Sequence, residues 1–103
     1  MRITPEQIEI FSMYARRYFG EDAKLWLFGS RVDDGKRGGD YDFLVETSIL
    51  DANEIIQRKV VLLTKLQGTP QFEDENIDIV IKRRSGTFEM PIYQVAMQDG
   101  VRI

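Results

Sequence analysis

The 103-residue chain contains no cysteine and no histidine. Without cysteine there is no disulfide framework and no thiol nucleophile, so the small secreted disulfide scaffolds are excluded. Without histidine the Ser-His-Asp and Cys-His mechanisms fall away, and so do the usual zinc sites. Carboxylate, lysine, arginine and tyrosine remain as the chemical inventory. Long apolar runs are missing too. The opening residues MRITPEQIEI hold no signal-like apolar core, and no stretch approaches the ~20 apolar residues of a membrane span, so the expected location is cytoplasmic. Nor is there an excess of positive charge. Fourteen basic residues stand against 17 acidic ones, for a net charge of −3, which argues against binding long nucleic acid by bulk electrostatics but leaves room for a mononucleotide with its own metal.

What is present is ordinary for a globular protein. Hydrophobic residues make up 43% and charged residues 30%, too apolar for disorder, and the length suits one domain over residues 1–103 with a modest core. No repeat, linker or low-complexity segment breaks the chain.

The centre of interest is Leu25 to Val45, LWLFGSRVDDGKRGGDYDFLV. An apolar, β-favouring run (Leu25, Trp26, Leu27, Phe28) halts at Gly29-Ser30. A polar loop then leads to Asp40-Tyr41-Asp42, where a second apolar run (Phe43, Leu44, Val45) begins. In a strand, alternate side chains share a face, which places Asp40 and Asp42 together and Tyr41 and Phe43 opposite. Two carboxylates on one face repel each other unless a cation lies between them, and Mg²⁺ takes oxygen ligands of this kind. At Gly29-Ser30, glycine permits close backbone approach to an anion while N–H groups and the serine hydroxyl donate to phosphate oxygens, with Arg31 as a positive neighbour. Later, Asp78 interrupts the apolar run Ile77-Asp78-Ile79-Val80-Ile81. A buried carboxylate there costs several kcal/mol unless paired or metal-bound; the alternative is an edge strand with one wet face.

The order Leu27-Phe28-Gly29-Ser30, nine residues, then Asp40-Tyr41-Asp42, with Asp78 in a later apolar strand, resembles the polymerase-β-type nucleotidyltransferase superfamily. The resemblance runs from about Ala23 to Lys82, and the short chain is similar to the minimal nucleotidyltransferases paired with helical HEPN proteins in toxin–antitoxin systems. It implies an α/β fold with a small mixed sheet of three to four strands flanked by helices. It also implies Gly29, Ser30 and Arg31 at the nucleotide phosphates, and two Mg²⁺ ions, with Mn²⁺ as a substitute, on Asp40, Asp42 and Asp78. The implied activity is transfer of a nucleoside monophosphate, AMP being the expected one, from an NTP such as ATP to a hydroxyl of a HEPN-type partner. With no histidine available, the proton from that hydroxyl falls to Asp78 or to metal-bound water. Only about twenty residues follow the third strand, so the wall that closes the site is expected from a second chain. The rival reading is a non-catalytic antitoxin or nucleotide-binding module acting by stable complex formation.

Two other motifs fail on spacing or size. Gly29 to Lys36 superficially resembles a P-loop, but five residues rather than four precede Gly35, and Arg37 stands where serine or threonine is required. Glycosyltransferases also use Asp-x-Asp, in domains far longer than this chain. Lys36, Arg37, Arg83 and Arg84 read as solvated charges, of which one or two can reach a triphosphate. Glu46 reads as a surface residue, and Trp26, Phe28, Tyr41 and Phe43 as core rather than base-stacking platforms.

The remaining pattern supplies the scaffold. Thr4-Pro5-Glu6-Gln7 forms a capping box opening a helix whose core stripe is Ile8, Phe11, Ala15 and Tyr18, widened by Ile10 and Tyr14 and ended by Gly20. DDGKRGG is a loop. A second helix, capped by Ser48 or Asp51, turns Ile55, Ile56, Val60, Leu62, Leu63 and Leu66 inward and stops at Gly68 before Pro70. Phe72 and Ile77–Lys82 form the third strand, followed by a turn over Arg83–Gly86. A helix spans Glu89–Gln98 with Ile92, Val95 and Ala96 inward, ahead of an edge strand over Val101–Ile103.

Overall fold

The computed structural model describes residues 1–35, 38–85 and 90–103. Helix α1 spans Pro5–Phe19 and opens with the expected capping box: Gln7 N donates to Thr4 Oγ1 while Thr4 N donates to Gln7 Oε1. Strand β1 (Lys24–Phe28) follows, then a short 3₁₀ turn over Gly29–Val32, β2 (Tyr41–Thr47), α2 (Ala52–Gln67), β3 (Ile77–Arg83), α3 (Pro91–Asp99) and β4 (Val101–Arg102). The strands form one mixed sheet in the order β3-β2-β1-β4, antiparallel except for the parallel pair β2·β3. No described helix is long and apolar enough to cross a membrane.

Alternation along the strands divides the core in two. Leu25, Leu27, Tyr41, Phe43, Val45 and Ile79 meet Phe11, Ala15 and Phe19 of α1 and Leu62 and Leu66 of α2. The ring of Phe11 stacks on that of Phe43 at 3.7 Å between centroids. On the other face Trp26, Phe28 and Leu44 meet Ala96 of α3, with Val80, Ile92 and Tyr93 at the margin. The second cluster is much the smaller. α1 and α2 carry the main core, and α3 covers part of the opposite face.

The helices depart from expectation where a stripe was drawn too wide. On α2, Leu62 and Leu66 are buried and Ile55 and Leu63 pack at the margin, but Ile56 and Val60 are 60% and 59% exposed. At 3.6 residues per turn the 55–62–66 line faces the sheet, and positions 56 and 60 lie roughly 100° and 140° round the helix. Val95 of α3 is exposed for the same reason, beside buried Ala96. Asp51, not Ser48, caps α2, its Oδ1 accepting from Glu54 N at 3.0 Å. Phe72 lies in the turns before β3 rather than in the strand, and is buried edge-on to Tyr41. Gly86 and Glu89, expected in the turn and the last helix, fall outside the described residues.

Candidate functional site

β1 ends at Phe28, whose partner in the antiparallel ladder is Asp42. The chain leaves the strand through Gly29 at φ 75°, and a Cβ at Gly29 would overlap the Asp42 carboxylate. Only glycine therefore lets the turn lie this close to the acid. The same device recurs where the loop returns. Gly39 has φ 93°, and a Cβ there would overlap Ser30 Oγ, so Ser30 lies directly beneath the residue that precedes Asp40. The expected juxtaposition of Gly29-Ser30 with the Asp-x-Asp segment is present.

The third acid arrives through the parallel ladder, in which Asp42 and Asp78 are register partners on β2 and β3. Both lie on the face that carries Leu44 and Val80, the side covered in part by α3. Burial, then the charge of Asp78, then that of Asp40, push the Asp42 carboxyl above its ordinary value. All three acids thus share one electrostatic neighbourhood. Two details differ from the sequence reading. β2 begins at Tyr41, so Asp40 is an exposed residue just ahead of the strand. Asp78 is exposed as well: β3 is an edge strand, and the face that carries Asp78 is covered only farther along, at Val80 and Lys82, so the wet-edge alternative describes Asp78 and the buried carboxylate does not.

Arg31 is engaged away from this face. Its guanidinium lies 4.0 Å over the Tyr41 ring, its Nε donates to Gly39 O at 3.2 Å, and Glu75 Oε2 is 3.8 Å away. Tyr41 and Asp42 point to opposite sides of β2, so Arg31 braces the loop from behind. Tyr41 is held in turn: Gln7 Nε2 donates to its hydroxyl at 3.0 Å and to Gln71 O at 2.8 Å. Sequence reasoning missed Gln7 beyond its capping role, and missed Arg2 altogether. Arg2 donates to Ser30 O and Gly38 O, each at 2.6 Å, and to Asp33 O at 2.9 Å. No periodicity or motif marks either residue for these contacts.

The other basic residues divide cleanly. Arg83 ends β3 and Arg84 follows it, at the far end of the ladder, where Thr47 pairs with Arg83. Five residues of strand separate that pair from Asp42 and Asp78, about 17 Å, so neither arginine reaches a phosphate held at Gly29-Ser30. Arg83 donates to Leu50 O at 3.2 Å, and Arg84 to Glu46 and Asp22. Glu46, read as a surface residue, is buried at 7% exposure, because the C-terminal half of β2 is covered on both faces and Lys82 and Arg84 close over its carboxylate. Lys36 and Arg37 lie outside the described residues. A surface hollow of about 570 Å³ lies at Tyr18, Asp51, Glu54 and Arg58, remote from the acids. Its charged groups are already occupied by the α2 cap and by the Glu54–Arg58 pair at 2.7 Å.

The donor set around Asp42 is hard oxygen throughout, which suits Mg²⁺ or Mn²⁺, and a divalent cation relieves the repulsion felt at that carboxyl. As they stand, no three His, Cys, Asp or Glu side chains among the described residues are drawn together closely enough to hold a metal. No protein family and no curated protein matches this chain.

Proposed function

We propose that the chain is a metal-dependent nucleotidyltransferase of the polymerase-β type, moving a nucleoside monophosphate, AMP in the first instance, from an NTP to a hydroxyl of a HEPN-type partner protein. The observation that carries this reading is the raised Asp42 carboxyl, placed by register beside Asp78, near Asp40, and against the Gly29 turn.

Each residue has a part that follows from its position. Gly29 allows phosphate oxygens to approach the backbone, and the Ser30 hydroxyl donates to them. Asp40, Asp42 and Asp78 would hold the Mg²⁺ ions, which on binding supply charge neutralisation at the phosphates and a lowered pKa at the acceptor hydroxyl. The acceptor oxygen forms a bond to the α-phosphorus as the bond to the bridging oxygen breaks, and pyrophosphate departs in line. Asp78, exposed at the sheet edge, is accessible to an incoming acceptor and takes its proton. Arg31 contributes by bracing the loop rather than by touching phosphate.

The second reading is a binding-only antitoxin or nucleotide-binding module, in which the same turn and acids hold a nucleotide without turnover. One experiment separates the two. The chain is incubated with a HEPN-type partner, radiolabelled ATP and Mg²⁺, and the partner's mass is measured. A gain of one or more AMP units that is lost in Asp42→Asn supports transfer. A stable complex whose partner gains no mass with any NTP supports the binding module.

A further inference from the structure

The two helices that cover the main core present unlike outer faces. On α1 the exposed line runs through Glu6, Glu9, Met13 and Arg17, mostly charged, as is usual for a helix packed on a sheet. On α2 the outer face carries Asn53, Ile56, Gln57, Val60, Val61 and Thr64, all exposed and none charged. At 100° per residue these six fall within an arc of about 140° along about three turns. Ile56 and Val60, at 60% and 59%, are the most exposed large apolar side chains among the described residues. The charged residues of α2 stand at the flanks of this face, Glu54, Arg58 and Lys65 on one side and Lys59 on the other. In a chain that is 30% charged, an uncharged face centred on bare isoleucine and valine and rimmed by charge has the make-up of a contact surface.

We propose that two copies of the chain associate through this face, with α2 packed antiparallel on α2 of the second copy about a two-fold axis at Val60. The face is self-complementary under that symmetry, which sets residues before Val60 against residues equally far after it. Val60 meets its own copy, Ile56 meets Thr64, and Asn53 meets Gln67. Each flank also meets its counterpart, so Glu54, six residues before the axis, comes beside Lys65 of the second copy, five residues after it, once at each end of the contact. Both groups are available. Arg58 engages only Oε1 of Glu54, at 2.7 Å, and Lys65 has no ion-pair partner among the described residues. This charge match at the rim favours a second copy over an unrelated chain. A 16-residue helix is about 24 Å long, so one helix pair covers less than the ~800 Å² per partner of a standard interface, and the dimer is weak and reversible. α2 lies on the side of the sheet away from Asp42 and Asp78, so both acidic sites stay open in the dimer.

The test is sedimentation velocity of the wild-type chain from about 5 µM to about 500 µM, where the weight-average mass should climb from one chain towards two with a Kd of about 10–100 µM. Val60→Lys sets two ammonium groups together on the axis and should raise that Kd more than about tenfold. Because Val60 is exposed, the melting temperature of this variant at low concentration should stay at the wild-type value. Lys65→Glu should raise the Kd about threefold, and adding Glu54→Lys should restore it, since reversing both charges recreates the pair. Thermal melts confirm that each charge variant is folded. In the wild-type chain, backbone amide NMR shifts that move with concentration should lie on the outer face of α2 and spare α1, a readout that needs no variant. A wild-type chain that is monomeric at about 500 µM, or a dimer that survives Val60→Lys, overturns the proposal. A HEPN-type partner that binds the monomeric wild-type chain and is lost in Val60→Lys assigns the face to that partner, and overturns it too.

Discussion

The two ends of the β2·β3 ladder solve the same problem in opposite ways. At the first end Asp42 is paired in register with Asp78; four residues on, Glu46 is paired with Lys82. The Glu46 end is neutralised: its carboxylate has Lys82 Nζ at 3.7 Å and Arg84 Nε at 3.1 Å, and Arg84 reaches on to Asp22 at 2.8 Å. The Asp42 end gathers like charge, and burial first, then that charge, raises its central carboxyl. Arginine is at hand there, yet Arg2 and Arg31 spend their donors largely on the backbone of the loop. One end of the ladder therefore stabilises the fold, while the other carries an electrostatic cost that protonation or an added cation relieves, and the proposed site lies at that second end.

The largest expected effect comes from breaking the acidic end. Asp42→Asn should reduce nucleotidyl transfer by about 10²–10³-fold or more, the scale set by loss of an essential electrostatic group, while the apo protein at neutral pH melts no lower than wild type. Single-turnover transfer and a thermal melt on the same preparation check both halves. An inactive variant that is also plainly destabilised would show that Asp42 holds the fold together.

Next comes the neutralised end. Glu46→Ala leaves Lys82 and Arg84 without their shared carboxylate and should cost about 3 kcal/mol of stability, the lower bound for breaking a buried pair, since Arg84 is partly open to water. Mg·ATP binding should not change in the folded protein. Denaturant unfolding and calorimetry on one variant decide it, and a loss of nucleotide binding without loss of stability would erase the distinction between the two ends.

A subtler contrast is in pH, because the two ends have opposite signs. Asp42 has a folded pKa above the ordinary 3.8, so its contribution is fully present below that value and is lost as pH rises through the folded value; the ionised form is the unfavourable one. Asp22 is held below 3.8, first by the hydrogen bond from Arg84, so its contribution is present above the ordinary value and is lost as pH falls through the folded one. Melting curves of the metal-free protein from acid to neutral pH should show Asp42→Asn gaining on wild type as pH rises. Added Mg²⁺ should narrow that gap by stabilising the ionised wild-type site.

The smallest effect is expected at Arg84 itself. Its partners include exposed Asp22, and solvent screening limits what that contact contributes. Arg84→Gln should lower the melting temperature slightly at neutral pH and low salt, and the difference should shrink when salt is added or the pH is taken below the Asp22 transition. A loss as large as that of Glu46→Ala would make Arg84, and not Lys82, the main partner of Glu46.

Much of the scaffold could be read from local pattern. The capping box at Thr4, the break at Gly29, the stop at Gly68 and the alternation in Ile77–Ile81 each reflect physics confined to a few neighbouring residues, and each holds in the structure. The failures have a shared cause. Ile56 and Val60 are apolar but exposed, Glu46 is charged but buried, and Asp78 is exposed in an isoleucine-rich strand, because burial depends on which faces other elements cover. An amphipathic stripe shows that a face is buried somewhere, not how wide the covering surface is.

By itself the sequence determined the chemical inventory, the helix and strand periods, and the positions where only glycine serves, since these follow from side-chain chemistry and the backbone freedom of single residues. The tertiary structure alone decided which charges meet. Asp42 beside Asp78, Glu46 beside Lys82, and Arg2 across the Gly29–Gly39 loop are contacts between residues far apart in the chain. They exist because packing α1 and α2 on one face of the sheet sets a single register, and a shift of one residue in that register would send every one of those strand side chains to the other face.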